Sequence, residues 1–260
     1  MLLAGKTAIV YGAGDIGGAV ARTFAAEGAR VFLVARTPTR AEAVVAAIAA
    51  AGGTASAAVV DAFDADAIAR HAATVADATG GIDISFNTVD LGDAQGAHVV
   101  DTPMEKLLLP VDAAIRSHVA IARAVTPYMA ARRSGVVMGI TANVARMAVA
   151  NVAGFAIACA AIESLFRQFT CELGPQGIRA VCLRSAGSPD AAGVSAAFDM
   201  RAREQGITRQ AFEASVTAGI PLRRLPRIGE VANAAALVAS DKASAITGAV
   251  VNVTCGALVD

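Results

Sequence analysis

Gly12, Gly14 and Gly17 stand in the pattern Gly-x-Gly-x-x-Gly, directly after the apolar run TAIVY and before the helix-forming stretch AVARTFAAEG. A strand–turn–helix of this kind binds phosphate: Gly12 permits a sharp turn and Gly14 lets a pyrophosphate approach the backbone. The following helix offers unpaired N–H groups at the positive end of its dipole. Asp15 and Ile16 complete the turn, and the Asp15 carboxylate opposes phosphate charge. The second chemistry-bearing residue is Arg36, at the end of the next apolar run. An acidic residue there suits the ribose hydroxyls of NAD, whereas arginine suits the 2′-phosphate of NADP, so the residue favours NADP over NAD. Its alternative reading is a solvated surface arginine. Cys159, Cys171, Cys182 and Cys255 are scattered without Cys-x-x-Cys spacing, and neither a metal site nor a disulfide is expected from them.

These residues need a scaffold, and the chain supplies one. Short β-branched runs at 8–11, 31–34, 57–60, 82–86, 136–140, 179–183 and 249–253 alternate with helical patterns at 16–27, 39–51, 64–79, 103–132, 152–173 and 229–239. Near-continuous apolar strands alternating with helices call for a parallel sheet covered on both faces, an α/β doubly wound (Rossmann-type) fold. The 260 residues, 55% hydrophobic and without a Pro- or Ser-rich linker, read as one domain, 1–260. Residues 185–228 are Gly- and Pro-punctuated and are expected to form a flexible flap over the substrate. With 22 basic and 22 acidic residues there is no charged field for nucleic acid or anionic lipid, which leaves a small molecule as the expected partner. The amino terminus lacks the apolar stretch of a signal peptide, and 147–162 is too short and alanine-rich to span a bilayer. A cytoplasmic location is expected.

Beyond the turn, Asp61 follows the third strand. Asp83-Ile84-Ser85-Phe86-Asn87, Glu172-Leu173-Gly174-Pro175-Gln176-Gly177-Ile178-Arg179, Pro221-Leu222-Arg223-Arg224, Gly229-Glu230-Val231-Ala232, Ser240-Asp241, Thr247-Gly248 and Val250–Val253 then succeed one another in order. In this ordered set the chain resembles the short-chain dehydrogenase/reductase family over nearly its whole length. The resemblance implies an NAD(P)-dependent oxidoreductase acting on a small carbonyl or alcohol, with Asp61 at the adenine and Asn87 in the cofactor site. It also implies a homodimer or homotetramer packing the fourth and fifth helices and the last strand. Three motifs depart from the family pattern. The glycine turn is one residue short, with Ile16 before paired Gly17-Gly18; Asn-Asn-Ala-Gly has become Asn87-Thr88-Val89-Asp90; and Pro-Gly has become Ala186-Gly187.

The resemblance also places the family's proton-transfer residues. Counting back from Glu-Leu-Gly-Pro, the tyrosine falls on Phe155, the lysine on Cys159, the serine on Ala142 and the helix asparagine on or near Ala114; the longer spacing of enoyl reductases puts the lysine on Ile162. None can move a proton as the family does, and general acid catalysis ordinarily contributes roughly 10²–10⁴-fold. The only tyrosines, Tyr11 and Tyr128, lie elsewhere. Thr141 and His118 are the weak catalytic candidates. Thr141, Ala142, Phe155 and Cys159 are expected to line the substrate pocket, while Arg146 and Arg184 are candidates for an anionic substrate. Three functions stay open: an oxidoreductase with unconventional or weak catalysis, a catalytically silent cofactor-binding partner subunit, and a repurposed cyclase, isomerase or lyase.

Overall fold

The structure, a computed structural model, describes residues 1–93 and 95–259. Seven parallel strands form one sheet: β1 (Thr7–Tyr11), β2 (Arg30–Ala35), β3 (Thr54–Val59), β4 (Ile84–Asn87), β5 (Gly135–Ala142), β6 (Ile178–Ser185) and β7 (Val250–Val253), in the spatial order β3-β2-β1-β4-β5-β6-β7. Strand alternation divides the core between the two faces of the sheet. Ala8 and Val10 of β1 pack with Phe24 of α1 (Asp15–Ala26) and Val231 of α8 (Ile228–Ala239). Ile9 and Tyr11 point the other way, into a core shared with α3 (Ala65–Thr79), α4 (Met104–Ala131) and α5 (Ala153–Leu173). Every residue of β1 is buried, which explains why its sequence shows no polar alternation.

The order reverses between β1 and β4, where the chain leaves the sheet in opposite directions and opens a crevice at the carboxyl ends of the strands. The glycine turn lies there, between β1 and α1. The edge strand β3 begins three residues earlier than its apolar run suggests, because pairing Thr54–Val59 with Arg30–Ala35 of β2 satisfies its backbone regardless of side-chain character. α2 (Pro38–Ala50) follows β2.

Part of the 185–228 stretch is more regular than its punctuation suggests. It contains α6 (Ala192–Glu204) and α7 (Arg209–Thr217), joined by an edge-on contact of Phe198 with Phe212 at 5.2 Å. Arg209 holds Asp199 at 2.9 Å and Glu213 at 2.6 Å. The periodicity was hard to read because α6 buries only Ala202. Among the described residues, no helix is long and apolar enough to cross a membrane.

Candidate functional site

The glycine turn is held from below. Gly12 N–H donates to Val34 O at 2.8 Å, and Thr88 N–H, just past β4, donates to Tyr11 O at 2.8 Å. The Thr88 hydroxyl donates to Tyr11 O at 2.9 Å and Gly12 O at 3.1 Å. Gly12 has φ +105°, and a Cβ there would sit 2.6 Å from Thr88 O. A Cβ on Gly17 would overlap the Gly12 carbonyl oxygen. Gly17 therefore makes the close helix–strand approach that the third glycine of such a turn provides, despite the shortened spacing. Above Gly14, by contrast, nothing lies within 4 Å of a Cβ position, and α1 has no side-chain N-cap. The turn thus presents open space at an uncapped helix end. Ile16 turns toward the core instead.

A cavity of about 190 Å³ runs from this turn to β2, lined in part by Gly12, Gly14, Arg36, Arg40, Phe63 and Asp90. Arg36, just past β2, and Arg40, in the first turn of α2, are both exposed, and among the described residues neither forms an ion pair. Asp61 lies beside the cavity, its Oδ1 accepting the Phe63 N–H at 3.1 Å. Asn87 lies beneath it and serves the fold: Nδ2 donates to Ser117 Oγ at 3.2 Å, and Oδ1 accepts the Val89 N–H at 3.0 Å. The Asp15 carboxylate accepts the Ala192 N–H of α6 at 2.7 Å.

The second region is built by the end of β5 and the first turns of α5. Phe155 is half-buried and belongs to neither core. Cys159, one turn on, is 1% exposed, and burial pushes its thiol up to about 11 despite a hydrogen bond with the Ala142 backbone. Thr141 is buried and turned away from the crevice, its hydroxyl donating to Glu163 Oε1 at 3.1 Å and Leu183 O at 3.3 Å. Arg184, considered above for an anionic substrate, is instead a core residue. It is 2% exposed and forms a two-pronged pair with Glu163, Nε to Oε1 and Nη2 to Oε2 both at 2.8 Å. Arg146 is exposed after the single turn Asn143–Ala145.

His118 also lies in the core rather than at a cleft. It is 5% exposed, Nδ1–H donates to Ala114 O at 2.8 Å, and the ring packs edge-on against Phe166. Burial lowers its pKa to about 4, leaving a neutral imidazole at neutral pH. Nε2 faces the gap left by Gly139, where a Cβ would come within 2.8 Å. Ala114 and Ile162 are buried, as is Tyr11, whose phenol burial pushes upward; Tyr128 packs partly buried against the α4–α5 core.

Comparison with known proteins agrees with this geometry. A family described as enoyl-(acyl carrier protein) reductase matches residues 12–257. The oxidoreductase UcpA of Escherichia coli is 30% identical over 250 residues, covering 95% of this chain and 92% of UcpA. The chain belongs to the short-chain dehydrogenase/reductase family. A 2,3-dihydro-2,3-dihydroxybenzoate dehydrogenase of Bacillus subtilis is 29% identical over 247 residues, 94% of this chain and 92% of that protein. A 7α-hydroxysteroid dehydrogenase solved with NADH and 7-oxoglycochenodeoxycholic acid superposes with a TM-score of 0.84 at 27% identity, covering 99% of this chain and 96% of that one.

Within this family member, the structure brings Gly12, Gly14 and Arg36 to one cavity and sets Ala142 and Cys159 in contact at the other region. Two residues escaped the sequence reading. Arg40 was signalled only by its four-residue spacing from Arg36. Glu163 interrupts an apolar helix stretch, but with Arg179 and Arg184 both in β6 nothing in the sequence paired it with Arg184. Among the described residues, no group of three or more His, Cys, Asp or Glu is placed to hold a metal.

Proposed function

We propose that the protein is an NADP-dependent oxidoreductase of a small carbonyl or alcohol, with weak or unconventional proton transfer. The carrying observation is the contrast between two regions: a nucleotide cavity with two arginines that form no ion pair among the described residues, and proton-transfer positions whose one ionisable side chain, the Cys159 thiol, is held up to about 11 by burial. The glycine cradle fits a pyrophosphate, since Gly14 and the uncapped end of α1 leave open space. Arg36 and Arg40 suit the 2′-phosphate, with NAD the weaker ligand. When bound, the dinucleotide supplies the hydride donor or acceptor. Phe155 and Ala142 contribute shape but no acidic proton, while the Cys159 thiol stays protonated and neutral. The proton must then come from solvent, which predicts slow turnover on ordinary ketones.

Two measurements test this. Fluorescence titration should show NADPH binding more tightly than NADH. Restoring Ala142→Ser, Phe155→Tyr and Cys159→Lys together should raise carbonyl reduction by on the order of 10²-fold or more. No gain on a broad carbonyl panel, with the fold intact by circular dichroism, would show that the missing side chains are not what limits the reaction. We further infer a homodimer or homotetramer built on α4 and α5, supported by the exposed apolar side chains of Met104, Leu108, Leu109 and Ile157. A monomer by light scattering removes that assignment.

A further inference from the structure

One carboxylate lies between the amino ends of two helices. Asp15 is the first residue of α1, and its Oδ2 accepts the N–H of Ala192, the first residue of α6, at 2.7 Å. Neither helix has a side-chain N-cap, because Gly14 and Ala191 carry no acceptor. The Asp15 carboxylate therefore stands at the amino end of α6 as an anion would, while its backbone belongs to the glycine turn. The segment between β6 and α6 carries a second, independent sign. Ser185 Oγ and Ser188 Oγ, on residues 5% and 3% exposed, find no hydrogen-bond partner among the described residues. Between them Gly187 adopts φ +78°, a conformation suited to a hinge. Beyond them, Asp190 fastens the segment to α8 by accepting the Ile228 N–H at 3.1 Å. The segment thus carries two buried hydroxyl donors without a protein acceptor among the described residues, one on each side of the Gly187 turn.

We propose that Asp15 is a built-in stand-in for phosphate, latching segment 185–192 and α6 to the glycine turn and releasing the Ala192 N–H when a dinucleotide pyrophosphate binds there. The latch rests on the dinucleotide reading above and adds a consequence to it. The incoming anion must break one hydrogen bond and approach a fixed carboxylate, so affinity is held below what the glycine cradle alone would allow. Ser185 and Ser188 supply donors for the rearranged segment.

The test compares the full-length protein with Asp15→Ala, which removes the acceptor, and Ala192→Pro, which removes the donor. Proline is tolerated at a first helical position, and Ala191 at φ −78°, ψ 132° has the extended backbone that a residue before proline requires. Without cofactor, amide exchange across 186–200 should quicken roughly tenfold in both variants, the scale of one charge-assisted hydrogen bond. NADPH should bind several-fold tighter to Asp15→Ala and gain less in Ala192→Pro, where the carboxylate persists. Unchanged exchange in both variants overturns the latch, as does weaker NADPH binding by Asp15→Ala. Failure of all three proteins to bind NADPH or NADH overturns the dinucleotide reading and this inference with it. That result is distinct because the exchange comparison needs no cofactor.

Discussion

Replacing Glu163 with alanine should be among the most damaging single changes outside the glycine turn. The wild-type carboxylate is 4% exposed, and both its oxygens meet the Arg184 guanidinium at 2.8 Å while Oε1 also accepts the Thr141 hydroxyl. Its removal takes from the buried guanidinium the carboxylate that meets both Nε and Nη2. Breaking a buried pair from one side costs about 3–5 kcal/mol, against a total stability of about 5–15 kcal/mol for an ordinary domain. At about 2–4 °C per kcal/mol for a chain of this size, the melting temperature should fall by roughly 6–20 °C. Because the chain has no tryptophan, unfolding is best followed by far-UV circular dichroism in urea. Two controls separate the pair from simple loss of volume. Glu163→Leu with Arg184→Met removes both charges and should recover most of the loss, since apolar replacement of a buried pair is often neutral or stabilising. The destabilisation should also be the same at low and high salt, because ions do not reach the site. A Glu163→Ala protein within about 1 kcal/mol of wild type, a size ordinary for an exposed pair, would refute the reasoning.

Two further outcomes follow from the same geometry. Arg36→Ala with Arg40→Ala should reduce the preference for NADPH over NADH by on the order of tenfold at low salt and much less at high salt, as expected for exposed charges; an unchanged ratio in paired titrations would remove both arginines from 2′-phosphate recognition. His118 is neutral in the folded chain with a pKa near 4, against about 6.5 when unfolded, so the unfolded chain binds more protons between those values. Its contribution is complete above about pH 6.5 and is lost as pH falls toward about 4. His118→Gln should flatten that part of the stability–pH curve, and an identical slope in both proteins would show that the imidazole is not desolvated.

The fold was legible because its signals are local. Strand β1 is so apolar that only burial on both faces accommodates it, and the adjoining glycine spacing leaves few backbone paths into α1. Where local character is weak, the reading drifted. Thr54–Val59 became a strand because β2 lies alongside it, and α6 is held through Phe198 and Arg209 rather than by an apolar stripe of its own.

Residue types settle which chemistry is missing: a phenyl ring, a thiol and a methyl group at 155, 159 and 142 are the same whatever the backbone does. Direction and partnership belong to the packed molecule. Nothing in the order of residues says that His118 turns into the gap left by Gly139, that Arg184 spends its charge on Glu163, or that Asp15 accepts an N–H 177 positions away. Each depends on which groups meet across the sheet or over its edge, and at such distances along the chain only the completed tertiary contacts decide that.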